Sequence, residues 1–133
     1  MGKRLVLIAL TCIFLINMHI TVKANNLQYI RCTCYTAKAD AITASGKVVK
    51  ESYIAGKREW IGKTCKLYDK DKNVIGTFEF ADTGAGIDTD GDGKGDSIKC
   101  GKSIDVYRSS LKRCYDWIGQ YGDYVYMEVI DDD

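Results

Sequence analysis

Only one stretch of this chain carries a helical repeat. Leu111, Cys114, Tyr115 and Ile118 fall at i, i+3, i+4 and i+7. Ser109 or Ser110 can cap that segment, and Gly119 or Gly122 can end it. The other apolar residues come in short runs: "YIRCTCYTA", "ESYIAGK", "KTCKLYD", "VIGTFEFAD", "KSIDVY" and "DYVYMEVI". These runs are rich in β-branched and aromatic residues and read as strands. "DKDKN" joins the third run to the fourth and predicts a hairpin. "KADAITASGKVV" reads as a loop that turns at Ser45 and Gly46. Proline is absent, so the usual markers of edge strands and turns are missing. Several short strands and one helix predict a small all-β barrel.

The first 24 residues stand apart. Lys3 and Arg4 precede the apolar run "LVLIALTCIFLINMHITV", and Val22 and Ala24 occupy the positions that a signal peptidase reads. This pattern predicts a secretory signal peptide over 1–24 and one mature domain over 25–133. A retained anchor is the alternative, since an apolar run of about 18 residues can span a bilayer. The Val-x-Ala ending, followed by Asn25 and Asn26, favours cleavage. Cleavage removes three cations and no acid, so the formal charge falls from +1 to −2. A near-neutral chain offers no electrostatic basis for binding nucleic acid.

The removed segment also holds His19, the only histidine. A mature chain without imidazole excludes Ser-His-Asp and Cys-His catalysis, and it excludes zinc sites that need histidine. Carboxylate, lysine, tyrosine and cysteine remain. Five cysteines survive: Cys32, Cys34, Cys65, Cys100 and Cys114. In a secreted chain they can form up to two disulfides, with one thiol left over. Cys32 and Cys34 share a strand face and are badly placed to bond each other.

Residues 80–107 concentrate six aspartates among glycines. Asp88, Asp90, Asp92 and Asp96 fit D-x-D-x-D-G-x-x-D, with Gly93 after the third acid. Alternating carboxylates on a tight turn supply the oxygens that a hard cation wants. The pattern begins like an EF-hand loop but has Lys99 where the closing glutamate would stand. A structural Ca²⁺ is the expected occupant, and a plain solvated turn is the alternative.

Asp82 and Asp105 flank that loop, each read at a strand end, in "FADTG" and "SIDVY". An acid between Ile104 and Val106 is costly to bury unless it is partnered or functional. Paired carboxylates suit glycoside chemistry, in which one acid protonates the leaving oxygen. The alternative is that both cap turns or accept backbone N–H bonds.

"FADTGAG" followed by "IKCGKSIDVY" resembles the core of the 3D, or three-aspartate, domain, a secreted cell-wall module. Its A-x-D-T-G pattern matches Ala81, Asp82, Thr83 and Gly84, with no residue between Ala81 and Asp82. Its I-x-G-x-x-I-D-x-Y pattern matches Ile98, Gly101, Ile104, Asp105 and Tyr107, with one extra residue between Ile98 and Gly101. Upstream, "CTCYTA" with Thr33, Tyr35 and Thr36, and the T-A-S-G turn from Thr43 to Gly46, resemble the family's first strand and turn. The likeness spans most of residues 31–130. Lys57 stands where the family has the first of its three aspartates, and the loop from about Ile87 to Ser97 is an insertion.

The resemblance implies a six-stranded double-psi β-barrel with one short α-helix. It also implies kinship with membrane-bound lytic transglycosylases and small muralytic proteins. It makes Asp105 the catalytic acid/base, with Asp82 beside it. It makes Tyr35, Thr36, Thr43, Lys57, Gly84 and Gly101 the substrate-binding set. The implied partner is the peptidoglycan glycan strand, cut without a catalytic cofactor by a secreted, monomeric bacterial wall protein that is free of the membrane after cleavage. A non-catalytic glycan-binding module on the same barrel is the alternative. Trp60, Trp117 and the tyrosines would then offer stacking faces, with Trp60 the better exposed and Trp117 packing the helix.

Overall fold

The computed structural model describes residues 27–130. The expected signal peptide and the acidic C-terminal residues lie outside the described residues. The chain forms β1 (Gln28–Tyr35), β2 (Tyr53–Ala55), a 3-10 turn (Arg58–Trp60), β3 (Thr64–Tyr68), β4 (Val74–Asp82), β5 (Ser103–Tyr107), α1 (Leu111–Tyr121) and β6 (Tyr124–Ile130). Each strand falls within one of the apolar runs or overlaps it. The hairpin is present as well. β3 and β4 pair antiparallel, and Asp69 Oδ1 accepts from the Asp71 and Asn73 amides at 2.9 Å to close the turn.

The fold is mostly β. Its six strands form one mixed sheet closed into a ring, in the order β1-β5-β2-β4-β3-β6, with β6 returning to β1. β1 with β5 and β2 with β4 are parallel; the other pairs are antiparallel. Closure leaves no open edge. Alternation sends Ile30, Cys32, Ile54, Cys65, Leu67, Phe78, Phe80, Ile104, Val106, Val125 and Met127 into the core.

The helix begins and ends as predicted. Ser110 Oγ accepts from the Arg113 amide at 3.2 Å, and Gly122, at φ 72°, closes the C-terminus with its amide on Ile118 O at 2.8 Å. Its buried face is the predicted one only in part: Cys114 is buried and Trp117 packs the helix as expected, but the rest of the predicted stripe is not buried. Cys114 and Trp117 are buried and Tyr121 packs on the core, whereas Leu111 and Tyr115 are 58% and 65% exposed and Ile118 is exposed too. Two stripes compete on this helix, and the one carrying tryptophan wins because an indole buries more apolar area than an aliphatic side chain. Trp117 meets Phe78 edge-on at 6.1 Å and Tyr121 at 4.6 Å. Trp60 is only half-buried, with its ring 5.1 Å from Phe80.

Candidate active site

Asp105 is the central residue of β5, not a strand end. Ile104 and Val106 face the core, so alternation turns Asp105 to the outer face with Ser103 and Tyr107. Both of those neighbours are covered. Ser103 Oγ donates to Ser97 Oγ at 2.7 Å beneath the aspartate-rich loop, and Tyr107 meets the Tyr35 ring at 5.6 Å. Asp105 is the half-exposed position between them.

Asp82, the last residue of β4, reaches the same face through a β-bulge. Phe78 and Phe80 point inward, and strict alternation would send Asp82 inward as well. The register instead steps from Ile54↔Phe80 to Ala55↔Asp82 and skips Ala81. A one-residue shift exchanges the two faces. Ala55 is also the partner of Asp105, and Asp105 is the partner of Thr33. Thr33, Asp105, Ala55 and Asp82 therefore form one rung across four adjacent strands. The two acids are two strand spacings apart, about 9.5 Å between backbones.

Each acid has its own partners. Thr33 Oγ1 donates to Asp105 Oδ1 at 3.0 Å. Asp82 Oδ1 accepts from the Ala44 and Thr83 amides at 3.0 and 2.9 Å, and Tyr35 Oη donates to Oδ2 at 3.3 Å. Burial pushes the Asp105 carboxyl up to about 6; the Thr33 hydroxyl opposes the shift and the charge of Asp82 adds to it. Burial also pushes the Tyr35 phenol well above its usual range, helped by the charge of Asp82 and their hydrogen bond. The site thus holds one acid that can carry a proton near neutrality and one carboxylate fixed by three donors.

The expected binding residues separate into groups. Tyr35 belongs to the rung. Thr43 is buried and works at one remove: its hydroxyl meets Ser45 Oγ and Lys47 O at 2.9 Å, which shapes the turn that presents the Ala44 amide. Thr36 is exposed beyond the end of β1. Lys57 lies against neither acid; its ammonium sits 4.7 Å from the Trp60 ring centroid. A Cβ on Gly101, at φ 82°, would come within 3.1 Å of Lys57 Cδ, so glycine there admits the lysine stem. Gly84, with Thr83, Arg58 and Lys99, lines a cavity of about 450 Å³ that begins at the residue after Asp82. Thr33, the direct partner of Asp105, and the Ala44 amide were not read from the sequence as site groups. The Cys-Thr-Cys alternation marks Thr33 as outward-facing, but nothing local reveals that β1 lies parallel to β5.

The aspartate-rich loop adjoins this face. Oxygens of Asp88, Asp90 and Asp96 lie within 4.8 Å of one another, about twice a Ca–O bond length. The donor set suits a hard cation. Asp92 stands outside this trio, and its Oδ1 accepts from the Lys94 amide at 2.8 Å. The Gly93 and Gly91 amides hold the Asp88 carboxyl below its usual range. The loop is pinned at its base, where a Cβ on Gly86 would strike Ser97 Oγ and one on Gly95 would strike Gly86 O.

No protein-family model matches the chain, and no curated protein matches it. Among the described residues, no helix is long and apolar enough to cross a membrane.

Proposed function

We propose that the protein is a secreted bacterial cell-wall enzyme that cleaves peptidoglycan glycan strands by a lytic transglycosylase-type reaction. The observation that carries this reading is the Asp105 carboxyl. It is half-buried on the outer face, raised to about 6, and shares its rung with Asp82. A group that holds a proton near neutral pH can act first as acid and then as base. Protonated Asp105 donates to the glycosidic oxygen of the β-1,4 bond. As carboxylate it then takes the proton of the muramic acid 6-hydroxyl, whose oxygen closes an anhydro ring. Asp82, fixed by Ala44, Thr83 and Tyr35, is a positioning residue that adds to the rise of the Asp105 carboxyl. The step needs no cofactor, and Ca²⁺, if bound by Asp88, Asp90 and Asp96, orders the loop over Ser103.

The two parallel pairs within the closed ring support a double-psi β-barrel of the 3D type. We propose that the protein acts as a monomer on wall glycan, apart from nucleic acid and membrane. A glycan-binding module is the second reading. It is favoured by one observation: Tyr29 and Tyr124 are exposed and stacked, 5.1 Å apart, on the outer face of β1 and β6.

The test is digestion of peptidoglycan with and without Ca²⁺, with Asp105→Asn alongside. Anhydro-muropeptides in the mass spectrum that vanish in the variant are expected. Reducing-end products would replace the ring closure by hydrolysis. No product, with retained binding to walls, would favour the second reading.

A further inference from the structure

The five described cysteines have different surroundings. Cys32 and Cys65 are core residues on β1 and β3. β6 lies between those strands, which sets the backbones about 9.5 Å apart, beyond the span of about 7 Å that a disulfide bridges. Cys100 is exposed in the loop, where its thiol donates to Ser97 O at 3.6 Å. Cys34 and Cys114 differ from these. Cys34 follows Ile30 and Cys32 on the inward side of β1 and packs against the core at the end of the ring. Cys114 lies on the buried face of α1, one turn after the Ser110 cap, and β1 is the strand on which α1 packs. Both are free thiols, and Cys114 acts on the Cys34 thiol more strongly than any other side chain does.

We propose that Cys34 and Cys114 form a disulfide that staples α1 across the end of the strand ring. The bond would have a consequence for the site. Cys34 stands between Thr33, which holds Asp105, and Tyr35, which holds Asp82. Fixing Cys34 to the helix fixes the stretch of β1 that positions both acids. The inference stands independently of the catalytic reading.

The chemistry is thiol–disulfide exchange with an external disulfide such as oxidised glutathione. One protein thiolate attacks the external disulfide and expels one glutathione thiol. The second thiolate then attacks the mixed disulfide, expels the other glutathione thiol and closes the Sγ–Sγ bond. Two protein thiols are oxidised and one external disulfide is reduced. Burial, reinforced by the neighbouring Cys114, holds the Cys34 thiol well above its usual range, so the bond forms slowly in the folded protein and faster during refolding.

The experiment is to refold the purified protein in a glutathione redox buffer, alkylate free thiols under denaturing conditions, and map peptides without reduction. A peptide containing Cys34 joined to one containing Cys114 is expected, with Cys32, Cys65 and Cys100 alkylated. The bridged protein should melt about 10 °C above its reduced form, because the bridge closes a long loop in the unfolded chain. Cys114→Ser should melt at one temperature with or without reductant, and Cys100→Ser should keep the full difference. Alkylation of both Cys34 and Cys114, or linkage of either to another cysteine, would overturn the proposal. That map is read on the unaltered protein, so failure of a serine variant to fold leaves the answer intact.

Discussion

Asp82 and Asp105 are both in register with Ala55, one on each strand that flanks β2. The bulge at Ala81 makes this so, by turning Asp82 from the core face to the face that carries Asp105. The pair then works asymmetrically. Asp82 receives three hydrogen bonds, whereas Asp105 receives one and bears the cost of burial.

That cost gives the first prediction. The folded Asp105 carboxyl titrates at about 6, against 3.8 for an ordinary aspartate. Its contribution to stability is therefore full below pH 3.8 and is lost as pH rises through about 6. Asn at this position carries no charge to bury and still accepts from Thr33. Asp105→Asn should stabilise the protein by about 2 kcal/mol at pH 7, with the gain gone at pH 4. Denaturant unfolding at the two pH values checks this. An equal effect at both would mean that the burial of charge is not the cause.

Thr33 sets the second prediction. Its hydroxyl favours the ionised form of Asp105. Thr33→Val keeps the shape and removes the donor, so the Asp105 carboxyl should rise further. In the enzyme reading, activity that needs protonated Asp105 should then persist to higher pH. The alkaline limb of the pH–rate profile should move up by about half a unit to one unit. An unmoved limb would remove Asp105 from the role of proton donor.

Much of this fold is legible in the sequence, and the part that is not has a physical reason. Strand runs declare themselves through composition, and Asp69 to Asn73 declare a hairpin by turn chemistry; both are local properties. The parallel pairings of β1 with β5 and β2 with β4 are not local, because no short turn joins the partners. Thr33 was therefore invisible as the partner of Asp105, although both acids stood out as charged residues in apolar strands. The helix shows the same limit differently. Leu111, Tyr115 and Ile118 satisfy helical spacing as well as Cys114 and Trp117 do, and only the tertiary surroundings choose between the stripes.

Glu51 ties the start of α1 to the segment before β2, and this gives a third prediction. Its carboxylate receives two guanidinium hydrogen bonds from Arg113, at 2.6 and 2.5 Å, and one from the Ser109 amide at 3.0 Å. These partners, Arg113 foremost, hold the Glu51 carboxyl at about 2, below the 4.5 of an ordinary glutamate. A depressed carboxylate stabilises fully above pH 4.5, and this stabilisation is lost as pH falls through about 2. Much of the pair is in contact with solvent, so screening reduces its worth to about 1 kcal/mol. Glu51→Gln should lower stability by that amount at pH 7 and by nothing near pH 2. High salt should shrink the difference at pH 7 as well, which a thermal melt in 1 M NaCl, about a 3 Å Debye length, would read.

The aspartate-rich loop supplies the last prediction. Asp88, Asp90 and Asp96 converge, whereas Asp92 does not, so the four acids of one motif should behave unequally. If Ca²⁺ binds the trio, its apparent affinity should lie in the weak extracellular range, about 0.1 to 1 mM, because few ligands come from rigid structure. Calorimetric titration should show one site, abolished by Asp88→Asn or Asp96→Asn and little changed by Asp92→Asn. Binding should also slow proteolysis within the loop, while the ring, whose strands pair without it, keeps its melting temperature within a few degrees. Gly86→Ala separates the loop from the ion. The new Cβ meets Ser97 Oγ and the Ile98 amide at a backbone φ of 85°, so it should loosen the loop base and weaken Ca²⁺ binding with all three carboxylates present. Equal losses from Asp92→Asn and Asp88→Asn would mean that the observed trio is not the binding arrangement. No heat at millimolar Ca²⁺ would leave the loop as a solvated cover over Ser103.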